Sequence, residues 1–227
     1  SKAEGVRDYF EIGVIGYGGN GVRNPLQGAF AGNVFNPVSL FEQFPLSVED
    51  RTKKVPDGAG GVNEEKIKFP VWFVPEATGG TPMKEALKVA AIELATWCDN
   101  HSDSYPPTVL HVTDGESSDG DPESIAEQMG QLSTNDGSVL LFNLHTSDEG
   151  VRPIKFPGSE DEITDIHGKS LFRMSSILPE GVSLAAREKG YSVADKSRGF
   201  FFNVEPIEIV DFFDIGTRAS SQSMQLR

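Results

Sequence analysis

Nearly continuous apolar runs of strand length constrain the fold more than any other feature of this sequence. They are TVLHVT at residues 108–113, SVLLFNLH at residues 138–145 and GFFFNV at residues 199–204. Runs without polar alternation are typical of strands buried on both faces, as in a parallel sheet covered by helices. Helical patterns separate the runs. Strands that alternate with helices predict an α/β sheet with right-handed crossovers.

The helical patterns are predicted from apolar residues spaced three and four positions apart. The strongest covers residues 82–100, with a sustained apolar stripe from Met83 to Cys98. Thr81 precedes Pro82, an order that suits a helix N-cap followed by proline at the first helical position. Further helices are expected over residues 125–132, 169–178, 179–189 and 206–215.

The length of the chain bounds its domain organisation. With 227 residues, we expect one domain over residues 1–216, followed by a frayed polar tail over residues 217–227. A first strand is expected over residues 9–17. The stretch from 18 to 80 is rich in glycine and proline and has no helical stripe. It is expected to be an elaborated, partly hairpin-like insertion, with short strands over residues 37–44 and 66–74.

Charge and cysteine content exclude several classes of function. Thirty-four acidic residues against twenty basic ones give a net charge of −14, which argues against nucleic-acid binding and against docking on anionic membranes. The single cysteine, Cys98, excludes an intramolecular disulfide and a multi-cysteine zinc site. No apolar run approaches the roughly 20 residues of a membrane span. A cytoplasmic location is therefore expected.

A glycine motif follows the first predicted strand. Residues 16–21 match G-x-G-x-x-G, which is typical of a dinucleotide-binding turn when a helix follows it. Pro25 comes too soon for such a helix, and no acidic residue ends a second strand about 20 residues later. We therefore expect a flexible glycine loop here, and no nucleotide site.

An acidic stretch follows the strand predicted over residues 108–113. Since α/β sheets bind ligands at the carboxyl ends of their strands, we expect a functional role for Asp114, which ends this strand. Asp119 and Asp121 are instead expected in turn and cap chemistry. Thr81 either caps its helix or offers its hydroxyl to a hard cation such as Mg²⁺, which takes oxygen ligands.

Two motifs together, Gly79-Gly80-Thr81-Pro82 and Thr113-Asp114-Gly115, resemble the von Willebrand factor type A domain. In that family a GGTP-like loop opens a helix, and a TDG-type strand end follows after one helix and one strand. The resemblance covers about residues 9–214. More narrowly, the chain is similar to bacterial stand-alone members of the family, which are often associated with kinase and phosphatase partners.

The resemblance implies a doubly wound, mostly parallel sheet with helices on both faces. It also implies a metal-ion-dependent adhesion site, in which Thr81 supplies a hydroxyl ligand and Asp114 a carboxylate, commonly through water, to Mg²⁺ or another divalent cation. A protein partner completes the metal shell with its own acidic side chain. A hard cation held by few charged protein groups keeps residual positive charge and attracts such a carboxylate. The implied function is a metal-dependent protein-interaction module without catalysis.

The sequence departs from the family at one place. The family's first ligand loop, Asp-x-Ser-x-Ser at the end of a central opening strand, occurs nowhere in this chain. Removing a central strand is costly because its neighbours lose backbone partners. We therefore expect that a segment is absent, either upstream or between Glu4 and Gly5. The alternative is a degenerate domain that binds no metal.

Two other functions stay open at this point. A metal-dependent hydrolase of phosphate esters would use Asp114, Glu116, Asp119 and Asp121 as its acidic cluster. It lacks an evident basic residue to hold the phosphate, and Lys84 is the nearest candidate. A structural subunit of a larger assembly, with residues 18–80 as its interface and no metal, is the third interpretation.

Overall fold

The computed structural model describes residues 6–56, 61–76, 79–114, 116–146, 152–204 and 206–224. The predicted junction between Glu4 and Gly5 lies outside these ranges, as does Gly115. The structure divides into two compact units, Ser1–Gly79 and Gly80–Arg227. This boundary coincides with the end of the predicted insertion. That residues 1–216 form one domain stays a prediction.

Three antiparallel ribbons are the main regular structure in the described part of the first unit. Each ribbon has two strands: β1 pairs with β4, β2 with β3, and β5 with β6. A 3₁₀ turn at Gly28–Phe30 lies between β3 and β4. The strands and the helix of this unit are β1 (Glu11–Gly13), β2 (Gly16–Gly18), β3 (Gly21–Arg23), β4 (Phe35–Pro37), α1 (Val38–Gln43), β5 (Ser47–Pro56) and β6 (Val62–Val71).

The glycine motif at residues 16–21 forms the β2–β3 hairpin. Gly18 pairs with Gly21, so Gly19 and Asn20 make a two-residue turn. Gly21 has a φ of +86°, a conformation that glycine adopts without steric cost. A strand, and not a helix, follows the motif. The expectation of a flexible glycine loop is therefore wrong, because these residues form a paired β-hairpin.

Two strand predictions in this unit are wrong. Residues 9–17 do not form one strand, because the chain passes from β1 to β2 and each joins a different ribbon. Residues 38–43 form the helix α1, which buries Phe41. This segment starts after a proline and contains Leu40, Glu42 and Gln43, which favour helix. The predicted hairpin character is confirmed by β5 and β6, which include most of residues 66–74.

The core of the first unit is small. Leu26, Phe30 and Phe41 form its buried cluster, and partly buried Trp72 packs against them. The indole N–H of Trp72 donates a hydrogen bond of 2.7 Å to the Phe41 carbonyl. This contact ties the end of the β5–β6 hairpin to α1.

The second unit is a mixed α/β structure. Its sheet has four strands in the order β11-β12-β10-β7, with β10 parallel to both β7 and β12 and with β11 antiparallel to β12. A short hairpin, β8–β9, precedes β10. The elements are α2 (Met83–Asn100), β7 (Thr108–Thr113), α3 (Glu123–Met129), β8 (Ser133–Thr134), β9 (Gly137–Ser138), β10 (Leu140–His145), β11 (Ile154–Lys155), α4 (Ile166–Met174), α5 (Glu180–Glu188), β12 (Phe200–Phe202) and α6 (Pro206–Met224).

Helices pack against both faces of this sheet. On one face, Phe142, Phe201 and the α6 residue Phe212 share a buried cluster with residues of α5. On the other face, Phe200 contacts Phe172 of α4, with ring centroids 6.2 Å apart. Alternate side chains of a strand point to opposite faces, so the apolar run in β12 fills both layers. An α/β fold with a mostly parallel sheet is therefore confirmed.

The strand and helix predictions hold well in this unit. All three apolar runs contain strands, although β10 begins two residues later than predicted, and α2 matches the strongest helical stripe. The helix α6 is longer than expected, since it continues to Met224 through most of the predicted tail.

The prediction that both faces of the strand are buried is confirmed for β10 and is wrong for β7. Five of the six β10 residues are buried. In β7 only His111 and Thr113 are buried, and Val112 is 39% exposed. The difference follows from position, because β10 lies inside the sheet and β7 lies at its end.

Candidate functional site

The candidate site lies at the carboxyl ends of the parallel strands β7 and β10. Asp114 follows β7 directly, and we call residues 114 and 116–121 the Asp114 loop. Thr81 lies in a short segment before α2, residues 80–82, that we call the Thr81 turn. Both segments belong to the second compact unit.

The structure brings the Thr81 turn and the Asp114 loop into contact. The Thr81 carbonyl accepts a hydrogen bond of 2.9 Å from the Ser118 N–H. The approach at Gly80 is also close, since a Cβ atom there would lie only 2.9 Å from the Ser118 hydroxyl oxygen. The Thr81 turn and the Asp114 loop therefore meet at Ser118.

Thr81 does not cap its helix, so the capping prediction is wrong. Pro82 occupies the N-cap position of α2 and has no side-chain acceptor. The carboxylate of Asp119 accepts the amide hydrogens instead, at 3.0 Å from Lys84 N and 2.8 Å from Glu85 N. The Thr81 hydroxyl makes no hydrogen bond to any residue that the structure describes.

Asp119 and Asp121 have the predicted turn and cap roles. Burial acts to raise the pKa of Asp119, but the hydrogen bonds from Glu85, Lys84 and Ser117 outweigh it and hold this pKa below its ordinary value. Asp121 accepts a hydrogen bond of 2.9 Å from the Glu123 N–H at the start of α3. Both carboxylates are therefore engaged by the protein.

Asp114 differs from the other acids of its loop. It is exposed, and within the described ranges its carboxylate forms no hydrogen bond and no ion pair. Glu116, by contrast, lies 3.4 Å from the ring nitrogen Nε2 of His167. Asp114 and the Thr81 hydroxyl are thus two oxygen donors that the described protein leaves unused.

His145, the last residue of β10, lies near Asp114. Its ring stacks on Phe202 with centroids 5.0 Å apart. Its Nδ1 atom is buried and has no hydrogen-bond partner among the residues that the structure describes. Burial lowers the pKa of His145, whereas the negative charges of Asp165 and Asp114 act in the opposite direction. The net effect of this environment is to favour the neutral imidazole.

The start of α4 also lies at this edge of the sheet. The sequence analysis did not identify its residues. Asp165 is the N-cap of α4, and its carboxylate accepts a hydrogen bond of 2.6 Å from the Gly168 N–H. The predicted helix began at residue 169, three positions too late. An aspartate before an apolar helical pattern is a start signal, so the N-cap preference of Asp165 could have revealed it.

A buried polar network lies behind the edge, between the sheet and α4. His111 and Asn143 are opposite each other in β7 and β10, and the distance from His111 Nδ1 to Asn143 Oδ1 is 2.7 Å. Asn143 Nδ2 donates to the Ser175 hydroxyl (2.9 Å) and to the Leu171 carbonyl (3.2 Å). These donations orient the amide, so His111 Nδ1 carries the hydrogen. Burial lowers the pKa of His111, against the effect of the Asn143 bond.

A cleft of about 320 Å³ opens beside the Asp114 loop. Glu116, Ser117 and His167 are among its polar lining residues, and Met83 and Leu171 are among its apolar ones.

The donor set at this edge fits a hydrated hard cation and does not fit a closed metal cage. Within the described residues, no three or more His, Cys, Asp or Glu side chains are grouped so that they could hold a metal ion. A hydroxyl and one carboxylate are all-oxygen donors of the kind that Mg²⁺ accepts while it keeps several waters. Thr81 and Asp114 are the residues that would hold it.

Comparisons of the chain with protein-family models, with curated proteins and with solved structures found no match. None of the helices in the described ranges combines the length and the apolar character that a membrane span requires. The resemblance to the von Willebrand factor type A domain therefore stays a prediction.

Proposed function

We propose that this chain is a protein-interaction module without catalytic activity, which binds an acidic group of a protein partner through Mg²⁺ or another divalent cation. Thr81 and Asp114 hold the cation. In this proposal the mostly parallel sheet is the doubly wound sheet of a von Willebrand factor type A domain, of the bacterial stand-alone kind. The module acts in the cytoplasm, and a kinase or phosphatase complex is the expected source of its partner.

One observation carries this proposal. The Thr81 turn and the Asp114 loop touch, and each presents one oxygen donor without a partner among the described residues, whereas Asp119 and Asp121 next to them are engaged. Polar side chains that a protein leaves unbonded at the carboxyl edge of an α/β sheet are candidates for ligand contacts.

A bound Mg²⁺ would supply an open coordination position for a partner carboxylate. The chain itself contributes the arrangement around it. The contact between Ser118 and Thr81 brings the two donor segments together, and the cleft beside Glu116 and His167 offers room for the rest of the partner segment. Glu116 adds negative charge to that cleft, so a free acidic segment is repelled unless the cation is present.

The occupied start of α2 favours binding over phosphate-ester hydrolysis. A phosphate would need backbone amides or a basic side chain, and the residue suggested by the sequence was Lys84. The amides of Lys84 and Glu85 already bind the Asp119 carboxylate, and the α2 dipole is therefore compensated by the protein's own anion.

The test is a titration of the full chain with a fluorescent peptide rich in Asp and Glu, with and without Mg²⁺. We expect binding that requires Mg²⁺ and that weakens by about tenfold or more, equivalent to about 1.4 kcal/mol, in Thr81→Ala and in Asp114→Ala. Thr81→Ser keeps the hydroxyl and should bind normally. Asp121→Ala removes the same charge from the same loop and should retain most of the affinity.

Other outcomes identify the alternative functions. Binding that is unchanged by a chelator and by Thr81→Ala would contradict the proposal and favour a structural subunit. Turnover of a generic phosphate ester above background, lost in Asp114→Ala, would favour the hydrolase.

A further inference from the structure

The carboxylate of Asp119 connects the two segments that carry the proposed cation donors. Its Oδ1 atom accepts hydrogen bonds from Lys84 N (3.0 Å) and from the Ser117 hydroxyl (2.9 Å), and its Oδ2 atom accepts one from Glu85 N (2.8 Å). Lys84 and Glu85 form the first turn of the helix after Thr81. Ser117 belongs to the loop that Asp114 begins.

We propose that Asp119 is a positioning residue for the cation site, which holds the Asp114 loop against the Thr81 turn so that their two free oxygens face one ion. This inference rests on the proposed function. Asp119 itself binds no cation in this account, because hydrogen bonds from the protein engage both of its carboxylate oxygens.

Three further contacts make this link specific. The Ser118 N–H donates to the Thr81 carbonyl at 2.9 Å, directly beside Asp119. Gly80 allows the close approach, since any Cβ there would meet the Ser118 hydroxyl oxygen at 2.9 Å. The Ser117 hydroxyl also lies 2.6 Å from the Gly120 carbonyl, which folds the loop around the carboxylate.

The need for this link arises from the sequence of the Thr81 turn. Pro82 is the N-cap residue of α2 and offers no side-chain acceptor, so within the first turn of this 18-residue helix the amides of Lys84 and Glu85 would lack a protein partner without Asp119. A carboxylate 35 residues away in sequence satisfies them. The stability of the helix start and the position of the Asp114 loop are therefore coupled.

Asp121 provides a matched control. It has the same side chain, lies in the same loop and also accepts an amide hydrogen at a helix start, but its partner, Glu123, is only two residues away. Asp119→Ala and Asp121→Ala each remove one charge and one cap. Only Asp119→Ala removes hydrogen bonds that join the Asp114 loop to α2.

The experiment measures Mn²⁺ affinity of the full chain by water-proton relaxation, together with amide hydrogen exchange. We expect Asp119→Ala to bind Mn²⁺ about 10-fold to 100-fold more weakly than Asp121→Ala does. The Ser118 amide, whose bond to Thr81 does not involve Asp119, should exchange faster in Asp119→Ala, while the Leu141 amide in β10 should not. Asp119→Asn keeps one acceptor oxygen and should restore part of the affinity.

The outcomes separate this inference from the proposed function. If the natural chain binds Mn²⁺ and the two alanine variants weaken binding equally, the positioning role is overturned and the cation site stands. If the natural chain binds no Mn²⁺, both are overturned. Faster exchange of the Leu141 amide in Asp119→Ala would show that the substitution also destabilises the sheet. In that case Asp119→Asn and Asp121→Asn are compared instead. Equal Mn²⁺ affinities of these two variants would overturn the positioning role.

Discussion

The two compact units of this protein bury their apolar residues in different ways. In residues 80–227, helices cover both faces of a sheet, and all three side chains of β12 are at most 2% exposed. In residues 6–79, the strands form ribbons of two, and the buried cluster contains Leu26, Phe30 and Phe41. A ribbon of two strands is marginally stable alone, whereas a covered sheet supplies a continuous core. Stability should therefore depend more strongly on the core of the second unit.

The largest difference is expected between Phe201→Ala and Phe41→Ala. Phe201 is fully buried and contacts the rings of Phe156, Tyr191 and Phe212. Its truncation leaves a cavity and should cost about 3–5 kcal/mol of unfolding free energy. Phe41 is 8% exposed in a smaller cluster, so its truncation should cost less. Urea denaturation measures both, and equal losses would contradict the comparison.

A second pair of variants tests the packing around glycine. A Cβ atom at Gly199 would lie 2.0 Å from the Phe142 ring, inside the core of the second unit. Gly199→Ala should therefore destabilise the protein by about 1–3 kcal/mol or more, because the core is close-packed. At Gly16, in the β2 ribbon, the nearest atom would be at 3.8 Å. Gly16→Ala should change the melting temperature little. A large decrease in the melting temperature of this variant would contradict the expectation that the ribbon has room for a methyl group at Gly16.

The pH dependence of stability should come from the second unit, since all four histidines lie there. Burial lowers the pKa of His111 and of His145 below the ordinary value, so the unfolded chain binds more protons than the folded one. This stability is fully present above about pH 6.5 and is lost as the pH falls towards the folded pKa values. The slope can reach about 1.4 kcal/mol per pH unit for each histidine.

One variant sharpens the pH prediction. His111→Gln keeps a donor for Asn143 but cannot titrate, so its unfolding free energy should fall less steeply below about pH 6.5. Equal slopes in the natural chain and in His111→Gln, measured by urea denaturation between about pH 5 and 7, would show that His111 does not contribute.

The smallest effect is expected in the β5–β6 hairpin. The Arg51 guanidinium lies 3.8 Å from the centroid of the Phe69 ring, and the Arg51 side chain is 48% exposed. Exposed cation–π contacts contribute about 0.5–1 kcal/mol, so Arg51→Ala should lower the unfolding free energy by about that amount. Arg51→Lys should lose less. If Arg51→Ala lost more unfolding free energy than Gly199→Ala does, the order proposed for the two units would be reversed.

The same comparison explains which parts of the fold were predictable. A strand buried on both faces has no polar alternation, and a long amphipathic helix has a regular stripe, so β10, β12 and α2 leave clear patterns in the sequence. The ribbons of the first unit expose most of their residues and leave no such pattern. The run at residues 9–17 therefore resembled one strand, although its chain passes from one ribbon to another.

The sequence predicted that Asp114 follows a strand and that Thr81 precedes a helix, but it did not predict the contacts between the two segments. The strand end at Asp114 and the helix start after Thr81 follow from local patterns. The capping of α2 by Asp119 depends on a hydrogen bond between residues 35 positions apart, and no local pattern indicates it. The buried position of His145 depends equally on the stacking of its ring on Phe202.

The account rests on one cation shared by Thr81 and Asp114, and the most direct test is an anomalous diffraction map from crystals of this chain soaked in Mn²⁺. We predict a peak between the Thr81 hydroxyl and the Asp114 carboxylate, which is absent in crystals of Asp114→Ala. A map without a peak at that place, in crystals where the Thr81 turn and the Asp114 loop are accessible to solvent, would contradict the account.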